Sequence, residues 1–221
     1  MRIFCDEAIQ YSISKKVKLL RNVRISIDSL SIRTKNGGTY FNEEELLTLD
    51  DKVELIDDGV QITGDKLFYH RQKRLYLLVG NVIMKHKKNS LDKKKQRFNQ
   101  SSGKIAKLYF SDSSELYRAD ISNQAKLVYH LYKGKIGRGA AKLTGDTIKF
   151  HFIDGDFSGF DIVGGIQGEQ IPEKMVRQTP VRLEGFNDRQ SSKPVTPKAE
   201  LFHNKKANQS ELDGLDINHR Q

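Results

Sequence analysis

Apolar and polar residues alternate in short runs along most of this chain, most cleanly over residues 53–84. Val53/Leu55, Val60/Ile62, Leu67/Tyr69, Leu75/Leu77/Val79 and Val82/Met84 are apolar at every second position. Between them stand Asp57-Asp58-Gly59, Gly64-Asp65, residues 70–74 and Gly80-Asn81. Period two signals half-buried strands, and Gly, Asp and Asn mark the turns between them. The stretch predicts a meander in which those eleven apolar residues point inward by parity.

The unit repeats. Cys5-Asp6-Glu7-Ala8 leads to Asn22-Val23, and Gly64-Asp65-Lys66-Leu67 leads to Asn81-Val82, with the Asp and Asn 16 residues apart in both. A third copy opens at Gly145-Asp146-Thr147-Ile148 and closes at Gly164-Gly165, about two residues longer. Ile27-Asp28-Ser29-Leu30 reads as another opening and Asp51-Lys52-Val53 as its close. A repeated strand–turn–strand unit points to stacked β architecture, because one unit cannot bury its apolar face alone.

Strands are also expected before residue 27, and at Leu30/Ile32 and Leu47/Leu49 with Asn36-Gly37-Gly38 as a hairpin turn between them. They resume from Ile105 to Val163, with glycine-rich turns at residues 134–139 and at Asp154-Gly155. Proline is confined to positions 172, 180, 194 and 197, which suits uninterrupted ladders upstream. The domain is therefore expected over residues 1–170, with a basic insertion at 85–102. Residues 171–221 read as a proline-containing, largely disordered tail.

With 221 residues, 37% hydrophobic and 30% charged, the chain suits an elongated sheet better than a compact globule. The net charge of +10 is not spread over the fold. Residues 85–97 carry +6 and the tail +2, leaving +2 on residues 1–84 and 98–170. That argues against a nucleic-acid-binding face, and the insertion has no interleaved aromatics through Arg97. Its lysines Lys87, Lys88, Lys93, Lys94 and Lys95 are candidates for an anionic headgroup or surface. No run of 18 apolar residues spans a membrane. The opening MRIFCDEAIQ lacks an apolar signal core and starts inside a unit, so a fragment, or lost upstream residues, is expected.

Catalytic chemistry finds little footing. The six histidines are scattered and Cys5 is the single cysteine, so no metal or cofactor is expected. Gly134, Gly137 and Gly139 lack dinucleotide spacing, and Gly134-Lys135-Ile136-Gly137 matches a KH loop only formally, without flanking helices. The repeated aspartates could pair as a hydrolase's acid and base, but Asp beside Gly more often completes a turn. The apolar face is either a ligand groove or a closed core.

Residues 62–69 (ITGDKLFY) followed by residues 75–82 (LYLLVGNV) resemble the OstA/LptA-type lipopolysaccharide-transport repeat, and the copies at Asp6, Asp28 and Asp146 extend the likeness over residues 3–170. The resemblance implies a periplasmic, non-enzymatic β-jellyroll, a V-shaped stack of antiparallel strands holding the acyl chains of lipid A. It implies partners of the same kind joined by end-to-end strand pairing. The groove would then be lined by the eleven inward residues named above. The basic insertion, the tail and the missing signal peptide depart from the family pattern. A structural β-solenoid or adhesin-like scaffold with a closed core is the alternative.

Overall fold

The computed structural model describes residues 1–57, 59–86 and 97–186. Its strands are β1 (Arg2–Phe4), β2 (Glu7–Tyr11), β3 (Lys16–Leu20), β4 (Val23–Ile27), β5 (Leu30–Thr34), β6 (Gly37–Phe41), β7 (Leu46–Asp57), β8 (Val60–His70), β9 (Leu75–His86), β10 (Asn99–Phe110), β11 (Leu116–Lys133), β12 (Ile136–Ile153), β13 (Asp156–Val163) and β14 (Gln167–Ile171), followed by helix α1 (Glu173–Gln178). All the strands belong to one 14-stranded antiparallel sheet.

The register folds that sheet into two layers. In the first layer, β1, β4 and β5 are followed by the later half of β7, the first half of β8 and the later half of β9, and so on to β14. In the second, β2, β3 and β6 are followed by the first half of β7, the later half of β8 and the first half of β9, and so on to β13. Each of β7 to β12 thus crosses from one layer to the other. The ladders skip at the crossings, between Asp50 and Val53, Thr63 and Lys66, Gly103 and Ile105, and Ser122 and Ala125. The result is an open antiparallel jellyroll of V-shaped section. Among the described residues, its end strands, β1 and β2 on one side and β13 and β14 on the other, each have one unpaired edge.

The repeat motif builds the corner of the V. Pairs of residues there adopt left-handed backbone: Arg21-Asn22 (φ 56 and 47), Asp51-Lys52 (61 and 48), Gly80-Asn81 (76 and 40) and Asn123-Gln124 (62 and 64). Asn, Asp and Gly enter that region at the lowest cost, which is why they recur. Side chains tie consecutive bends together: Asn22 Nδ2 donates to Asp6 Oδ2 at 2.8 Å, Asn36 Nδ2 to Asp51 Oδ2 at 2.7 Å and Asn81 Nδ2 to Asp65 Oδ2 at 2.8 Å. The spacing of 16 is therefore the path from one bend, around a hairpin, to the next. In the late copy Asp146 N–H donates to Gly164 O at 2.9 Å, and glycine is needed because a Cβ at Gly164 would strike the Asp146 carboxylate. Asp28 is a correction: it sits at a hairpin tip between β4 and β5 (φ 49), and the partner of Asp51 is Asn36.

Eight of the eleven inward candidates are buried: Val53, Leu55, Val60, Ile62, Leu67, Tyr69, Val82 and Met84. Leu75, Leu77 and Val79 lie on the opposite face, half-buried, while Tyr76 and Leu78 point inward. Alternation read from Leu75 through Val79 thus differs from the structure on this half of β9. The bend at Gly80-Asn81 takes one residue more than the facing bend of β8, four steps from Val79 to Ile83 against three from Thr63 to Lys66, so the inward parity changes along β8 while even positions stay inward from Tyr76 to His86. A one-residue slip moves every side chain of a strand to the other face. The cross-strand partners show it directly, since Leu67 opposes Leu78 and Tyr69 opposes Tyr76.

The folded chain also runs past residue 170. β14 pairs with β12, and α1 follows with Val176 buried. Residues 181–183 are then tied to the sheet by Gln100, whose Nε2 donates to Val181 O at 3.2 Å and whose Oε1 accepts from Leu183 N–H at 2.9 Å. The compact unit comprises residues 1–186, so the expected boundary moves by sixteen residues. The rest of the tail expected to be disordered, residues 187–221, lies outside the described residues.

Candidate functional site

The space between the layers is the candidate site. It is filled by side chains from both: Val23, Ile25, Ile32, Val53 and Met84 from the first layer, and Leu47, Leu49, Leu67, Leu78 and Phe150 from the second. All of these are at most 1% exposed. Towards the C-terminal strands the interior turns aromatic and polar. His86 stacks at 4.5 Å on Phe157, across the gap between the layers, and Tyr129 meets Phe160 at 5.2 Å. Several of the polar groups there are hydrogen-bonded. Asn99 Oδ1 accepts from His130 N–H at 2.8 Å, Ser101 Oγ donates to Lys126 O at 2.8 Å, and Asn99 Nδ2 lies 3.4 Å from His86 Nε2.

Midway along the V, the tips of the layers part around a recess of about 410 Å³. Ile27 and Leu30 line it from the first layer, and Tyr69, Tyr76, Phe110, Arg71 and Arg74 from the second. The Tyr69 and Tyr76 rings stack at 4.2 Å, and Phe110 leans on Tyr76 at 4.8 Å. Burial, reinforced by the Tyr69 hydroxyl, pushes the Tyr76 phenol far above its ordinary value. It is a neutral part of an apolar wall at any physiological pH. At the rim, Arg74 Nη1 donates to Ser111 O at 2.9 Å and to Asp112 Oδ1 at 2.6 Å. The rest of the lining is polar, with Glu45, Gln72, Ser111 and Ser114 beside the two arginines, and Arg74 is already paired with Asp112.

The repeated aspartates do not converge. Asp65 on β8 and Asp146 on β12 stand four strands apart along the corner, ~19 Å at the usual strand spacing. Glycoside hydrolysis needs two carboxyl groups within roughly 5–10 Å. Among the described residues, no three His, Cys, Asp or Glu side chains gather where a metal ion could sit. Lys87, Lys88, Lys93, Lys94 and Lys95 lie outside the described residues.

One charged cluster escaped the sequence reading. Arg97, the last residue of the basic stretch, forms a forked ion pair with Glu173 at the start of α1, with N–O distances of 2.9 and 3.1 Å. Arg177 Nε adds a third contact to Glu173 at 3.0 Å. The Arg97–Glu173 pair is mostly buried. Pro172-Glu173 followed four residues later by Arg177 was the available signal: proline at a helix entry, an acid in the first turn and an i,i+4 pair. The partner 76 residues away carries no local trace.

Arg97 above all, with Arg177, holds the Glu173 carboxyl down to about 2, against an ordinary value of 4.5. A depressed carboxyl contributes stability that is complete above its unfolded-state value and disappears as pH falls through its folded value. The α1 segment is therefore expected to loosen between about pH 4.5 and 2. Hydrogen exchange at Val176 against pH measures it. Arg97→Gln should produce comparable loosening at neutral pH.

No protein-family model matches the chain, and no curated protein matches it. Among solved structures, it is similar to the crystal structure of LptH from Pseudomonas aeruginosa, the LptA-homologous periplasmic component of a lipopolysaccharide transport device. The TM-score is 0.42 at 12% identity, covering 77% of this chain and 94% of that one.

Proposed function

We propose that this chain is a non-enzymatic lipopolysaccharide-binding and transport module that works in the periplasm as part of a bridge to the outer membrane. The observation that carries the reading is the way the layers are joined. The layers are joined through the backbone only where β7 to β12 cross the corner, and across the interior they meet mainly through apolar side chains. Parting the tips therefore breaks no ladder hydrogen bond. It exposes apolar surface that an acyl chain can cover again, so lipid is the natural wedge. The left-handed pairs at the corner provide the bend about which the layers spread. The OstA/LptA-like repeat supports the same reading, because its Asp and Asn residues are the ones that tie this corner.

Partners follow from the ends. β1 and β2 at one side and β13 and β14 at the other offer unpaired edges to strands of like modules. Such pairing would continue the interior from one module to the next.

The second reading, a scaffold with a permanently closed core, is favoured by the completeness of burial, with Val53, Leu67, Leu78 and Met84 all at 0% exposure. Equilibrating folded protein with a fluorescent acyl probe separates the two. Under the carrier reading the probe is taken up to saturation and displaced by lipid A. If the protein, still melting cooperatively, takes up no probe, the scaffold reading stands and the carrier is rejected.

A further inference from the structure

The hairpin joining β11 and β12 overreaches its neighbours. The last pair between β10 and β11 is Gln100 with Val128, and the last pair between β12 and β14 is Ala140 with Ile171. Among the described residues, Leu131 to Lys133 and Ile136 to Gly139 have their ladder partners only in each other. They make a two-stranded finger that extends the first layer and is covered along one side, where Gly137 and Gly139 are buried against Glu173 and Ile171.

Its end is Lys133-Gly134-Lys135-Ile136-Gly137-Arg138. Lys133, Lys135 and Arg138 are exposed, and Ile136 between them is 61% exposed. α1 begins against the finger one pair from its end, where a Cβ at Gly137 would strike the Glu173 carboxylate. The helix adds an exposed Met175 and the exposed cation Lys174. Its one carboxylate, Glu173, is occupied by Arg97 and Arg177. Apolar side chains held out among cations, with the nearby negative charge already neutralised, match an anionic bilayer. In such a contact the ammonium and guanidinium groups would meet lipid phosphates and Ile136 would enter the headgroup–acyl boundary.

We infer that the end of the β11–β12 finger, with Lys133, Lys135, Ile136 and Arg138, forms a docking surface for an anionic membrane. The surface lies outside the interior assigned to acyl chains and does not depend on that assignment. A protein that took up no acyl probe could still dock, and one that took up probe could fail to.

The test is cosedimentation of the full chain with vesicles of phosphatidylglycerol and phosphatidylcholine, against phosphatidylcholine alone. Binding to the mixed vesicles only, weakening as salt rises, is expected. The triple change Lys133→Gln, Lys135→Gln, Arg138→Gln should lower the affinity about a hundredfold, since each cation at such a surface contributes about fivefold. Ile136→Ser alone should lower it about tenfold, while leaving binding to a soluble polyanion such as heparin unchanged. All four sites are exposed, so the melting curve should not move. Three results would each overturn the proposal: no vesicle binding, binding untouched by the triple change, which would place the attraction elsewhere, such as in residues 85–97, or equal loss of heparin and vesicle binding in Ile136→Ser.

Discussion

Leu78→Asp is expected to abolish the folded state or leave it barely populated at room temperature, whereas Leu77→Asp, one residue away, should fold with a melting temperature close to that of the parent. Leu78 is fully buried, opposite Leu67 on β8 and beside Ala106 of β10 in the register, in the middle of the second layer. A carboxylate there has neither water nor a partner. The charge costs several kcal/mol and the lost leucine adds about 2–5 kcal/mol. Together they equal or exceed much of the roughly 5–15 kcal/mol that holds a domain of this kind together. Leu77 faces outward on the same strand, half-buried, where the charge reaches water. Urea unfolding of both variants decides the matter. A Leu77 variant damaged as severely as the Leu78 variant would show that the face assignment of β9 is wrong.

Gly139→Ala is expected to have the second large effect, and a more local one. Gly139 has φ +113, a conformation that a side chain resists, and its Cβ would collide with Ile171 O on β14. No rotamer change relieves a clash between a Cβ and backbone. The register between β12 and β14 should therefore break, releasing β14 and the α1 segment after it. The layers themselves are joined elsewhere and should keep their cooperative transition. Limited proteolysis is expected to cut within residues 165–186 at least tenfold faster, with the rest of the compact unit intact. A variant with parental resistance in that stretch would show that β14 tolerates the side chain by moving as a unit.

Much of this fold was legible along the chain because its determinants are local. Period-two alternation marks half-buried strands wherever they are, and the recurrent Asp, Asn and Gly mark bends because few other residues enter left-handed backbone cheaply. The 16-residue beat between Asp65 and Asn81 even contained the pairing of bends, since its length is one trip around a hairpin. Eight of the inward residues followed from parity alone.

What failed had causes outside any short window. Which face β9 presents before Gly80-Asn81 is decided by the register: β9 takes four steps across the bend where β8 takes three, so parity switches on β8 and not on β9, and Leu75, Leu77 and Val79 turn outward. Asp28 and Asp51 look equally like repeat aspartates, yet only Asp51 meets an asparagine in space. The ordering of residues 171–186 depends on Gln100 and Arg97, more than seventy positions upstream, so composition read those residues as tail. Local backbone chemistry thus set the strands and bends in the sequence, while strand continuity, the inward face of β9 and the fixing of the C-terminal segment were decided by contacts that exist only once the layers have formed.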